Sequence, residues 1–288
     1  MKLMSFFMAI ISFFSVLFGC PGFIYKDESV NVDDYKLVWN DEFNGSLLDL
    51  TKWRVHRHDT PDITGSTVRR GSYYNIAMCS VEDGALHIAT KYYENGIFGI
   101  GKPGWYTCAL DTHNSFQSSY GYYECRCILP KGVGLWSAFW IYSGAVGNID
   151  GTGKDGAEID IFESAYYGNK RFPNSVSSAI HYDGYGKEHQ SKTICWTRLT
   201  DNNPYEEFNN YGLKWAEDGY TFYINGREVA KTTYGGVCEV KEDIIISVEV
   251  GGENATPAES WAGDSIDTNT IEPTDFIVDY VRVYDINK

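Results

Sequence analysis

The stretch Gly156-Ala157-Glu158-Ile159-Asp160-Ile161-Phe162-Glu163-Ser164 sets three carboxylates among β-branched and aromatic residues, the make-up of a β-strand. Side chains alternate along a strand, so Glu158 and Asp160 share one face and Ile159 and Ile161 take the other. Glu163 stands five positions after Glu158, and in a regular strand it would point with the isoleucines. A one-residue β-bulge between Asp160 and Glu163 returns it to the face of Glu158. Without the bulge, Glu163 opens the following turn. With it, the two glutamates are displaced like positions four apart, roughly 13 Å between Cα atoms at ~3.3 Å per residue. Side chains leaning together by ~4 Å each bring the carboxyls to roughly 5 Å, where one can attack an anomeric carbon while the other protonates the leaving oxygen. Three carboxylates this close do not all ionise freely, so at least one pKa is raised. A solvated acidic strand face is the competing reading.

The rest of the chain is β-rich in the same way. Its 288 residues suit one large domain or two small ones, and it is 16% aromatic, with 22 Tyr, 15 Phe and 8 Trp alongside 29 Gly. Aromatic rings also suit sugar binding, because a pyranose has an apolar face. Short apolar or alternating runs recur at Leu37-Val38-Trp39-Asn40-Asp41-Glu42-Phe43, Ala85-Leu86-His87-Ile88-Ala89-Thr90, and residues 120–129, 135–142, 175–182, 244–250 and 276–284. Two more, residues 220–224 and 227–230, flank Asn225-Gly226 and predict a tight hairpin. No long stretch carries helical periodicity and no internal repeat is present. The fold class is therefore all-β, an antiparallel β-sandwich in one domain.

The net charge of −15 argues against nucleic acid, whose binding rests on Lys and Arg contacts to phosphate. It also disfavours heavily sulfated polysaccharides. Residues 1–20 read as a targeting segment: Lys2, an apolar run over 3–18, then Leu17-Phe18-Gly19-Cys20. The ending resembles a bacterial lipoprotein signal with Cys20 as the lipidated residue; an ordinary secretory signal and an uncleaved anchor are the alternatives. All three place the chain at the cell surface or outside the cell, and a lipid or anchor is the only membrane attachment expected. Residues 21–35 read as a tether and 36–288 as the working domain. Removing Cys20 from the seven Cys leaves six, a number that permits disulfides outside the cell. Most read as small buried hydrophobes.

Taken in order, Val38-Trp39-Asn40-Asp41-Glu42-Phe43, Tyr120-Gly121-Tyr122-Tyr123-Glu124-Cys125-Arg126, Gly134-Leu135-Trp136-Ser137-Ala138-Phe139-Trp140, Glu158-Ile159-Asp160-Ile161-Phe162-Glu163, Ile180-His181-Tyr182, Tyr211-Gly212-Leu213-Lys214-Trp215 and Val278-Asp279-Tyr280-Val281-Arg282-Val283-Tyr284 resemble glycoside hydrolase family 16. The resemblance is to its laminarinase and lichenase group and covers roughly residues 36–285. It implies a concanavalin A-like jelly roll with an open substrate cleft on the concave sheet. It implies Glu158 as nucleophile, Glu163 as general acid/base and Asp160 as the residue tuning the nucleophile. It further implies sugar contacts from Asn75, Trp136, Trp140, His181 and Trp261. Trp105, in a Gly-rich loop, and Arg70 are added as candidate contacts. Where the family has Gly-Gly-Asn-Trp, this chain has Gly251-Gly252-Glu253-Asn254 and a longer loop before Trp261. No cofactor is implied for catalysis. A structural Ca²⁺ is implied at Asp279, Glu42 and the Gly84 carbonyl, oxygen ligands of the kind Ca²⁺ takes.

The expected activity is a monomeric, retaining endo-β-glycosidase acting on a polysaccharide or oligosaccharide, β-1,3- or β-1,3-1,4-glucan first. Alternatives are an endo-β-galactosidase on galactan or mucin-type glycans, a transglycosylase, and a non-catalytic carbohydrate-binding protein on the same fold.

Overall fold

The computed structural model describes residues 30–57, 59–258 and 273–286. Two antiparallel sheets make the body of the molecule. The first has eight strands: Arg227–Thr232, Gly219–Ile224, Asn209–Ala216, Gly121–Ile128, Phe276–Asp285, Ala85–Ile88 and Cys79–Glu82 in spatial order, with Lys36–Asp41 also paired to Phe276–Asp285. The second has seven, in the order Gln190–Arg198, Ser175–Tyr182, Glu158–Ser164, Leu135–Tyr142, Asp243–Val250, Ala109–Asp111, Arg54–Val55. A smaller sheet is built from Thr67–Arg69, Ser72–Tyr74, Gly104–Thr107 and Lys91–Tyr93. Its hairpin carries Arg69 and Arg70 to the cleft described below.

The second sheet sorts its side chains by alternation. On Leu135–Tyr142, Leu135, Phe139 and Ile141 enter the interior, and Trp136, Ala138, Trp140 and Tyr142 take the outer face. On Asp243–Val250, Ile244, Ile246, Val248 and Val250 are fully buried in the main core, while Ser247 and Glu249 face outward. The two sheets meet at Phe162 and Tyr211, whose ring centroids are 4.3 Å apart, and at Phe162 and Phe276, 6.3 Å apart. Each such side chain contributes about 1.5–3 kcal/mol of burial. Trp140, Ala138 and Ile245 form a separate small cluster on the outer side. The second sheet thus has an apolar face sealed against its partner and a mixed aromatic and acidic face left open.

The Asn225-Gly226 hairpin forms as expected, both residues at positive φ (51° and 75°), the left-handed pair that a two-residue turn requires. Cys79, Cys108, Cys125, Cys127, Cys195 and Cys238 are free thiols, four of them fully buried.

Candidate active site

The acidic strand is bulged. Trp140 pairs with Asp160 and Phe139 with Phe162, which leaves Ile161 as the extra residue. On the other side Glu158 pairs with His181, Asp160 with Ala179 and Glu163 with Ser177. His181 and Ser177 are four apart on a regular strand, so they share a face, and so do the glutamates opposite them. The bulge lets Ile161 and Phe162 both turn inward, 3% and 0% exposed, while Glu163 turns back beside Asp160. Three carboxyls thus project into one cleft of ≈ 1130 Å³ on the outer face of the second sheet.

Each acid has its own surroundings. Glu158 accepts a short hydrogen bond from the Tyr185 hydroxyl. Burial raises its pKa, and the charge of His181, the Tyr185 hydrogen bond and the Arg69 guanidinium pull it back down. Asp160 is 4% exposed, with Oδ2 3.3 Å from His181 Nε2, a contact too poorly aligned to be a hydrogen bond. Burial, then the neighbouring Glu158 and Glu249, hold its pKa well above the carboxylate range. Glu163 accepts a 3.1 Å hydrogen bond from Trp136 Nε1. Its pKa is also well raised, by burial and then by Asp160 and Glu158. Burial and crowding of the three acids thus favour the protonated form of Asp160 and Glu163, the direction a general acid needs.

The surroundings lock these groups. His181 Nδ1 lies 3.0 Å from His189 Nε2, and the two rings stack with centroids 5.1 Å apart. Trp140 donates its indole N–H to Ser247 Oγ at 3.1 Å and packs edge-on against Tyr142. Glu249 accepts from Arg69 Nε at 2.8 Å, and Arg70 pairs with Glu253 while its guanidinium sits 5.7 Å from the Trp136 ring. One ligand atom from each of Glu158, Asp160 and His181 can be gathered within 4.8 Å, close enough to hold a metal ion. The two-carboxylate reaction needs none.

A profile described as the GH16 domain of β-porphyranases A–D matches residues 36–286. The chain belongs to glycoside hydrolase family 16. It is 27% identical over 265 residues to an endo-1,3-1,4-β-glycanase, EglC, of Rhizobium meliloti, covering 91% of this chain and 49% of that one. The chain thus spans about half the length of that relative. A β-glucanase of Rhodothermus marinus is 26% identical, with 94% of this chain and 92% of that protein covered. Among solved structures, the endo-β-1,3-glucanase of Pyrococcus furiosus superposes with a TM-score of 0.68 at 26% identity, covering 90% of this chain and 98% of that one.

Within this glycoside hydrolase domain, Glu158, Asp160, Glu163, Trp136, Trp140, His181 and Arg70 all line the cleft. Asn75 does not. It is 1% exposed, its amide donates to Thr64 O and Ser66 Oγ, and its carbonyl oxygen caps the Ile76–Met78 turn by accepting from Ala77 N. Both amide protons and one acceptor site of Asn75 are thus engaged within the protein, and the residue lies away from the cleft lining. Trp105 is also corrected: it is 4% exposed and packs in the main core, with Tyr92 edge-on at 5.7 Å. Trp261 and Cys20 lie outside the described residues.

Of the expected Ca²⁺ ligands, the two carboxylates are each paired with an arginine. Arg282 forks onto both carboxylate oxygens of Glu42 at 2.8 and 2.7 Å, and Arg126 pairs with Asp279. Asp279 is itself the extra residue of a second bulge, between the Arg126–Tyr280 and Cys127–Val278 pairs. A carboxylate held by a guanidinium fork, as Glu42 is, does not fit the donor set of a hard cation.

Several site residues escaped the sequence reading. Glu249 and Ser247 carried a signal, since both sit on the polar phase of an otherwise apolar strand, and Tyr142 continues the Trp136–Trp140 series. Arg69 adjoins Arg70, but nothing marked its pairing with Glu249 across 180 residues. Tyr185, His189 and Trp196 had no periodic signal, because they come from a loop and an exposed edge strand.

Proposed function

We propose that the chain is a retaining endo-β-glycosidase that cuts a neutral β-linked glucan, β-1,3- or mixed β-1,3-1,4-linked, by double displacement. The observation that carries this is the Ile161 bulge, which brings Glu158 and Glu163 to one face of an open cleft. Glu158 is the nucleophile: His181, Tyr185 and Arg69 favour its ionised form against the cost of burial. Glu163 is the acid/base: burial beside two other acids keeps its proton on until it passes to the leaving oxygen. It then takes a proton from water as the glycosyl–Glu158 ester is hydrolysed. Asp160, whose surroundings favour its protonated form, steadies the nucleophile as the ester forms and breaks.

The Rhizobium, Rhodothermus and Pyrococcus proteins, named as β-glycanase and β-glucanases, support a glucan substrate. The charges of the cleft support a neutral one. Asp59, Glu158, Asp160, Glu163, Glu249 and Glu253 line it against Arg69, Arg70 and Lys192. Arg69 is bound to Glu249, Arg70 to Glu253, and the Lys192 ammonium sits 5.4 Å from the Tyr234 ring. A sulfated chain would meet acids first. One observation favours a second reading, a β-galactan substrate: the matching profile is described by its porphyranases. Release of reducing ends from laminarin and mixed-linkage glucan, but not from agar-type galactans, is the result expected; the reverse pattern would establish the second reading.

The enzyme is further proposed to act as a monomer at the cell surface, held by a lipid on Cys20. Replacing Cys20 by Ala should move the protein from the membrane fraction to the soluble one.

A further inference from the structure

Trp196 stands on Gln190–Arg198, the edge strand of the cleft sheet, and is 38% exposed. Edge strands usually carry polar residues, and an exposed Trp there has an energetic cost unless something uses it. Its ring is held in place. Phe172 stacks on one face, with centroids 5.9 Å apart and planes at 20°. The indole Nε1 donates to the Tyr166 hydroxyl at 2.9 Å, and Tyr166 in turn donates to Ser177 Oγ at 3.1 Å. A ring buttressed behind and pinned at its edge loses little entropy when it receives a ligand on its free face.

Its position relative to the acids follows from strand register. Trp196 pairs with Ser177, and Ser177 pairs with Glu163. Two strand spacings separate Trp196 from Glu163, roughly 10 Å between Cα atoms. In the sheet order Trp136 lies on the other flank, one strand beyond Glu163. Trp136 and Trp196 thus bracket the acids, both in the lining of one open cleft.

We propose that Trp196, backed by Phe172 and pinned by Tyr166, is a carbohydrate-binding platform that stacks on the apolar face of a pyranose, at a sugar unit beyond the one attacked and on the flank opposite Trp136. This rests on the glycosidase reading for the identity of the sugar chain. It adds that the cleft grips its substrate on both sides of the cut, as an enzyme attacking within a chain requires.

The test is a titration of β-1,3-glucan oligosaccharides of increasing length into Glu158→Gln protein, with and without Trp196→Ala. For chains long enough to cross the acids, Trp196→Ala should weaken binding roughly tenfold, the scale of a lost ring-stacking contact plus its burial. Trp196→Phe should recover most of the loss. Trp196→Leu, which keeps apolar bulk against Phe172 but offers no ring face, should not, and it serves if the Ala protein does not fold. Equal affinity of the Trp, Ala and Leu proteins at every length overturns the inference, as does failure of the Glu158→Gln protein to bind any of the chains. Hydrolysis by the wild-type enzyme is read separately. Cleavage without dependence of binding on Trp196 sinks only the platform; dependence on Trp196 without cleavage sinks the glycosidase reading and leaves the platform standing.

Discussion

Tyr185 reaches from its loop to give its phenolic proton to Oε2 of Glu158, while its ring lies 5.6 Å from that of His189, which stacks on His181. The nucleophile is thus approached from the solvent side by a hydroxyl and from the sheet side by an imidazole. Both favour its ionised form. Replacing Tyr185 by Phe removes one donor to a charged acceptor, worth about 1.5–3 kcal/mol. The pKa of Glu158 should rise, so the acid limb of the kcat/KM profile should move to higher pH, with a loss of roughly tenfold or more at its optimum. An unmoved acid limb would show that the hydroxyl does not act on the nucleophile.

Trp136 makes the matching contact to the other glutamate. Its indole N–H favours ionised Glu163. In Trp136→Phe that pull is gone, so the acid should hold its proton to higher pH and the alkaline limb should move upward. The Tyr185 and Trp136 variants should therefore shift opposite limbs of one profile, and pH–rate measurements on both check the assignment of roles.

Removing the acid/base altogether separates the two half-reactions. Glu163→Ala should lose ~10²–10⁴ in rate, the usual worth of general acid–base catalysis. Azide should restore turnover with an activated substrate and give a β-glycosyl azide. NMR of the product reads the anomer, and an α-azide would contradict retention.

Behind the site, Glu242 is fully buried; its Oε1 accepts from Ala157 N at 3.3 Å and from the Cys238 thiol at 3.1 Å. Burial pushes its pKa up to about 8. The unfolded chain ionises this group near ~4.3. Its contribution to stability is fully present below that pH and is lost progressively as pH rises to about 8, because the unfolded state sheds the proton first. Urea midpoints should fall between pH 5 and 8 in the wild type, and more gently in Glu242→Gln. Parallel slopes for the two proteins would show that Glu242 does not titrate in this window.

The sandwich and the acids were legible because both rest on local rules. Residues 135–142 and 175–182 were bounded correctly from short apolar or alternating runs. The spacing of five between the outer glutamates raised the bulge as one of two readings, and the strand register shows it. What was not legible depends on contacts made far along the chain. Asn75 looks like a sugar ligand in sequence, but its donors and acceptor are claimed by the 62–66 turn and by its own capping role. Trp105 sits among glycines that suggested an exposed loop, yet Gly104–Thr107 pairs with strands on both sides and carries the ring into the core. Gln190–Arg198 is the edge of its sheet and mostly exposed, so no apolar phase marked it as a strand.

The extra residue in the acidic strand also hands the interior two successive anchors, Ile161 and Phe162, midway between the nucleophile and the proton donor. Any motion that spreads the two glutamates apart must first lift Phe162 from its seat against Tyr211. The reach of the reaction is thereby tied to a close ring contact between the sheets, and a solvent-facing cleft acquires the stiffness of the protein's dry centre.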